Sequence, residues 1–253
     1  PIVNTTLTDG KATMTPSVFV KNHLSVPVKG TLRGNIGDIC FEKEITLAPS
    51  AETEVTFSPQ EYKQLASQHM RLWWPNGYGE PYMYPAAYTF HTEQAQADAR
   101  TEYLAGIRQV TYKDETTRLQ LYINGQRFIP LGGNWGFSEN HLNYRGREYD
   151  IAVGYHRQMN CTMIRNWVGQ TGDEEFYEAC DRHGIMVWQD FWLANPADGP
   201  NPHNEPMFMA NASDYMRRIR QHPSIALYCG RNEGYPPKTL DEQLAQLVQK
   251  LAP

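Results

Sequence analysis

At 253 residues, with 40% hydrophobic content, the chain is long enough for one large domain or two ordinary ones. Its net charge of −5 and the lack of a basic stripe argue against nucleic acid as a partner. No apolar run approaches the ~20 residues needed to cross a bilayer, so no membrane span is expected.

Residues 1 to about 113 alternate polar and apolar positions with period two. Ser17–Val20, Thr31–Arg33, Phe41–Leu47 and Glu54–Phe57 read as strands, separated by Val26-Pro27, Gly34-Asn35 and Ala48-Pro49-Ser50. Gln60 to Gln68 reads as a short helical turn, and Met83 through Phe90 and Glu102 through Val110 as later strands. About six to eight short strands with such turns predict a β-sandwich of immunoglobulin type, without the Cys-Trp-Cys pattern of antibody domains.

From about Leu119 the rhythm changes. Short apolar segments at Phe128–Leu131, Thr162–Arg165, Ile185–Trp188 and Ile225–Tyr228 alternate with helical spacing. Ile151, Tyr155 and Met159 form one helical stripe. Phe208, Ala212, Tyr215 and Ile219 form a second, and Leu244, Leu247, Val248 and Leu251 a third. Thr171-x-x-Glu174 and Thr239-x-x-Glu242 read as capping boxes, Gly184 as a helix C-cap, and Pro223 as a helix stop. Such β/α repetition predicts parallel strands with right-handed crossovers. Four units make the N-terminal half of a (β/α)8 TIM barrel, whose full length is typically ~250 residues. Asp114-Glu115-Thr116-Thr117 reads as the junction, giving a sandwich over 1–113 and a half-barrel over 114–253.

In a parallel barrel the working face lies at the C-terminal ends of the strands. The first predicted strand ends in Gly132-Gly133-Asn134-Trp135 and the second in Arg165-Asn166-Trp167. The third ends in Gln189-Asp190-Phe191-Trp192, and the fourth runs out into Asn232-Glu233. A core has no use for Arg, Asp and Glu converging at one end. Trp faces stack on sugar rings, and Asn, Asp and Arg hydrogen-bond hydroxyls, so the constellation suits glycoside hydrolysis. Glu233 fits a general acid whose pKa is raised by apolar cover. The alternative is a non-catalytic carbohydrate-binding or scaffold module, although the sandwich lacks an evident exposed aromatic stripe. Cys40, Cys161, Cys180 and Cys229 are scattered, and the eight histidines show no ligand spacing, so neither metal nor cofactor is expected.

Three segments resemble glycoside hydrolase family 2 in its β-mannosidase-like branch. They are Arg71-Leu72-Trp73-Trp74-Pro75-Asn76-Gly77-Tyr78-Gly79, Ile164–Trp167 with Phe176–Phe191, and His222–Ile225 through Asn232-Glu233. The resemblance implies a retaining exo-β-glycosidase of carbohydrate catabolism acting on an oligosaccharide or glycoside. Glu233 matches its acid/base, Asn232 the residue bonding the sugar 2-hydroxyl, and Arg165 the arginine that orients the nucleophile. Trp167 and Asp190 match pocket residues, and Trp135 is a further candidate for the pocket wall. Arg231 departs from the family pattern and leaves other specificities open, namely β-galactosidase, β-glucuronidase and exo-β-glucosaminidase. The Trp-rich loop at Trp73-Trp74 is expected to be structural.

The resemblance also places the nucleophile, a second Glu on a seventh strand, beyond Pro253, and a sugar-binding jelly-roll before Pro1. The chain is therefore expected to be an inactive piece of a longer enzyme, with self-association through its open edges. Pro1-Ile2-Val3 carries no export signal. A periplasmic or secreted location is favoured over the cytoplasm if one precedes it.

Overall fold

The computed structural model describes all residues except 93–98, 116–117, 137–143 and 198. Thr116 and Thr117 of the expected junction lie outside the described residues. The chain divides into two compact units. One comprises Pro1–Arg71 and Met83–Gln109, the other Leu72–Tyr82 and Val110–Pro253.

The first unit is built from β1 (Ile2–Thr8), β2 (Lys11–Lys21), β3 (Val28–Ile36), β4 (Ile39–Leu47), β5 (Glu52–Thr56), β6 (Tyr84–Thr92) and β7 (Ala99–Ala105). Two antiparallel sheets form, in the orders β1-β2-β5 and β4-β3-β6-β7. Period-two patterning decides which faces are buried. Along β3, Gly30, Leu32, Gly34 and Ile36 face in, and along β6 Ala86, Tyr88 and Phe90 do so. Phe41 of one sheet meets Phe57, which follows β5 of the other, at 4.5 Å between ring centroids. The helical turn expected within Gln60–Gln68 is one 3-10 turn at Lys63–Leu65, which buries Leu65. Sequence reading missed β1, most of whose residues are only half-buried. It also fused two strands: β7 ends at Ala105, and the next strand starts at Val110.

The second unit opens with a three-stranded antiparallel sheet of β8 (Val110–Glu115), β9 (Arg118–Ile123) and β10 (Gln126–Phe128). Asn124-Gly125 joins β9 to β10 with positive φ at both residues, 51° and 79°, the two-residue turn that suits strand twist. Then come β11 (Gly132–Asn134), α1 (Arg147–Gln158), β12 (Met163–Asn166), α2 (Glu174–His183), β13 (Met186–Asp190), α3 (Glu205–Ile219), β14 (Ile225–Cys229) and α4 (Lys238–Leu251). The four strands β11 to β14 form one parallel sheet in chain order. Ile164, Val187 and Ile225 face helices α1 to α3. They share a core with Tyr149, Val153, Phe176, Tyr177, Tyr215 and Ile219.

Several expectations are corrected here. Phe128–Leu131 is not the first parallel strand, because Phe128 closes the antiparallel β10 and the parallel strand is Gly132–Asn134. The stripe of Ile151, Tyr155 and Met159 faces outward, at 39%, 60% and 63% exposure, while Tyr149 and Val153 fill the core. Neither Thr171 nor Thr239 caps a helix. The N-caps are Asp173 and Pro237, neither making a side-chain cap bond, and the Thr171 hydroxyl instead bonds Tyr149. Gly184 does cap α2, at φ 71°.

The Trp-rich loop braces this unit. Trp73 is fully buried and donates its indole N–H to Asp181 O at 2.9 Å. Asn76 N donates to Gly184 O at 2.7 Å, and Asn76 Nδ2 to Cys161 O at 2.9 Å. The approach is so close that a Cβ on Gly184 would stand 2.9 Å from Asn76 N.

Candidate active site

Alternation along β12 sends Arg165 and Asn166 to opposite faces of the parallel sheet. Each needs its own partners, and each has them. On the face away from the helices, Arg165 grips Asp190 at the end of β13. Nε lies 3.1 Å from both carboxylate oxygens, and Nη2 lies 2.7 Å from Oδ2. Nη2 also donates to Asn232 Oδ1 at 3.0 Å. The guanidinium lies over the Trp188 ring, 5.0 Å from its centroid. Planar stacking and forked donation are what arginine offers and lysine does not.

Asp190 is fully buried, and its oxygens serve the chain itself. Besides Arg165, Oδ2 accepts Val168 N–H at 3.0 Å. Val168 has φ 45° and ψ 30°, a left-handed conformation that is strained for a β-branched residue. Gly169 follows at φ 60°, where a Cβ would meet the Trp192 ring at 2.8 Å. The carboxylate thus holds both the guanidinium and the tight turn that carries the half-buried Trp167.

On the helix face, Asn166 and Gln189 start a buried polar network. Asn166 Nδ2 donates to Gln189 Oε1 at 3.0 Å and to Thr171 O at 2.8 Å. Tyr177 donates to Gln189 Oε1 at 2.7 Å and is bonded to the Tyr215 hydroxyl. Gln189 Nε2 donates to Asp190 O at 2.8 Å. Burial holds the Tyr177 phenol well above its ordinary pKa, so this network stays neutral. Sequence reading passed over Trp188, Asn166 and Gln189. The signal available was two adjacent polar residues at each of two strand ends, which alternation must send to different faces.

Beyond β14, Asn232 is 8% exposed, and its backbone N–H bonds Leu193 O at 2.9 Å. Glu233 follows at φ 50° and is exposed, so the apolar cover expected around it is not supplied by the described residues. Burial raises the pKa of the neighbouring Cys229 thiol. The structure therefore brings Arg165, Asp190 and Asn232 into direct contact and sets Trp167 and Glu233 next to them in the chain.

Trp135 is elsewhere. Its backbone N–H continues the ladder to Arg165 O at 2.7 Å, so alternation turns the ring to the helix face. There it is 3% exposed, between Tyr144, Tyr149 and Phe176. It is a core residue rather than a wall for a sugar.

Comparison with known proteins matches residues 1–108 to the glycosyl hydrolases family 2 profile. A mannosylglycoprotein endo-beta-mannosidase of Lilium longiflorum is 32% identical over 234 residues, 87% of this chain and 24% of that protein. A beta-mannosidase B of Aspergillus terreus is 34% identical over 177 residues, 66% of this chain and 20% of that protein. The chain thus spans about a quarter or less of these curated relatives. Among solved structures, a beta-D-mannosidase from Dictyoglomus thermophilum superposes with TM-score 0.74 at 22% identity, over 99% of this chain and 33% of that one.

Proposed function

We propose, on the premise that the chain belongs to glycosyl hydrolase family 2, that it carries the acid/base side of a retaining β-mannosidase site. The names of both curated relatives support β-mannosides as the substrate class. In this reading the unit of Pro1–Arg71 and Met83–Gln109 is an immunoglobulin-like sandwich, and β11 to α4 of the second unit are the first four units of a TIM barrel, so the expected boundary at 113/114 moves to before β8. The sheet orders β1-β2-β5 and β4-β3-β6-β7, and the parallel order β11 to β14, support it.

One observation carries the proposal. Arg165, Asp190 and Asn232 meet at the C-terminal ends of consecutive parallel strands, with Glu233 next in the chain at a strained φ of 50°. Asn232 Oδ1 is engaged by Arg165, which leaves its Nδ2 to donate to the 2-hydroxyl of the sugar. That bond strengthens as positive charge develops at the anomeric carbon. Asp190 fixes the Arg165 fork through Nε and Nη2, and in this reading Nη1 is the donor that orients the incoming nucleophile. Trp167 offers a ring to the sugar. Glu233 protonates the departing glycosidic oxygen, then deprotonates the water that releases the glycosyl-enzyme. The attacking carboxylate of that double displacement is not assigned to any residue of these four units.

The test uses the protein with its natural flanking sequence. Glu233→Gln is expected to lower kcat/KM for a nitrophenyl β-mannoside by about 10²–10⁴-fold. The loss should be far smaller for a dinitrophenyl β-mannoside, whose leaving group needs no proton. Equal losses on both substrates, or none on either, would remove Glu233 from the acid/base role. Mannobiose and an N-glycan core compared side by side separate chain-end from internal cleavage.

A further inference from the structure

Arg231 lies between β14 and Asn232, and its side chain does not reach toward Arg165 or Asp190. It is 5% exposed and turns instead into the long connection between β13 and α3. Nη1 donates to Asn201 Oδ1 at 2.7 Å, and Nη2 to Gly199 O at 2.6 Å. Gly199 N in turn donates to Asn195 O at 2.7 Å. The space is tight, since a Cβ on Gly199 would stand 2.7 Å from Ala194 Cβ. The near end of the same connection is stitched by backbone: Phe191 N to Cys229 O, and Asn232 N to Leu193 O, both at 2.9 Å. Between these two fixings stands Pro196, whose Cγ is 3.8 Å from where a Cβ on Gly234 would lie.

From this geometry we infer that Arg231 is a positioning residue that sets specificity on the leaving-group side. The inference rests on the reading of Glu233 as proton donor. A proton donor stands beside the glycosidic oxygen, so whatever flanks it borders the departing group rather than the sugar being cleaved. Pro196 flanks the Glu233-Gly234 turn, and the two-pronged Arg231 clamp holds it there. A lysine at this position carries donors but not the rigid planar fork, so it reproduces the paired bonds less well. The clamp therefore narrows the choice of leaving group without touching the substrate.

Two measurements test this on Arg231→Met and Arg231→Lys. The first follows amide hydrogen exchange across residues 194–203 of this chain. Exchange is expected to rise about tenfold or more in Arg231→Met, the scale of one lost charged hydrogen bond, and by less in Arg231→Lys. Unchanged exchange would overturn the clamp. The second measures, with the natural flanking sequence, kcat/KM for mannobiose against nitrophenyl β-mannoside. Their ratio is expected to shift by about tenfold in Arg231→Met, carried mainly by KM, with Arg231→Lys between it and wild type. A constant ratio despite faster exchange would overturn the specificity role. If the wild type cleaves no β-mannoside while exchange responds, it is the β-mannoside reading of the site that fails, and the specificity role falls with it.

Discussion

At the scale of single residues, the decisive feature is how completely Asp190 is used. A fully buried carboxylate is stable only when paired and hydrogen-bonded, and here it accepts from the Arg165 fork and from Val168 N–H. The strained Val168 turn is the cost of that arrangement. A β-branched residue at φ 45° costs about 1–3 kcal/mol, so Val168→Asn, which tolerates this region, is expected to stabilise the chain. For a domain of this size each 1 kcal/mol is worth ~2–4 °C, measurable as Tm by calorimetry. A lower Tm would mean that the apolar packing lost with Val168 exceeds any strain relieved, which would overturn the strain reading. The convergence of Arg165, Asp190 and Asn232 was legible in the sequence, because strand-end polar residues in a β/α repeat share one edge. The burial of Asp190 was not legible, because it depends on the Val168 turn folding over it. Trp135 was misread because the register of β11 decides the facing of its ring, and that register has no apolar signature.

At the scale of elements, α2 is pinned to the turn before β14 by a buried ionic cluster. His222 Nδ1 lies 2.6 Å from Asp181 Oδ2, and Nε2 lies 2.8 Å from Glu174 Oε1. Asp181 Oδ1 accepts Ser224 N–H at 3.0 Å. Burial alone lowers the imidazole pKa. The Asp181 charge, with the bonds the ring donates to both carboxylates, outweighs burial and raises it to about 9. A pKa above the unfolded value of about 6.5 fixes the sign. The contribution is full below pH ~6.5 and is lost as pH rises through about 9. The urea midpoint is expected to fall between pH 6.5 and 9 by the equivalent of roughly 2–3 kcal/mol, and His222→Gln should flatten that decline. A decline that persists unchanged in His222→Gln would place the titration elsewhere. Helix faces were legible where all apolar positions lie on one side, as on α3, where Phe208, Ala212, Tyr215 and Ile219 are all buried. On α1 two candidate faces compete, and the aromatic Tyr149 with Val153 wins the core over the Ile151 stripe.

For the whole molecule, the switch from antiparallel to parallel pairing was legible from the change of period near residue 119, since side-chain spacing reports which faces need cover. The first parallel strand was not, because Gly132-Gly133-Asn134 is exposed throughout and carries no apolar residue. Among the described residues that same strand leaves the parallel sheet with two edges, for β11 and β14 each have one partner there. Unpaired edges of a parallel sheet are templates for further pairing, since both faces of such sheets are normally covered. Exposed Ile151, Tyr155 and Met159 add an apolar stripe on α1. The 253-residue chain expressed by itself is therefore expected to associate, with a light-scattering mass that rises with concentration across the micromolar range. Pairing through β14 would protect its amides from exchange as mass increases, whereas association through the α1 stripe would be relieved by Tyr155→Lys and leave β14 exchange unchanged. A mass fixed at one chain, with the amides of Leu240–Leu251 fully protected, would show that the four-unit sheet is stable with both edges bare.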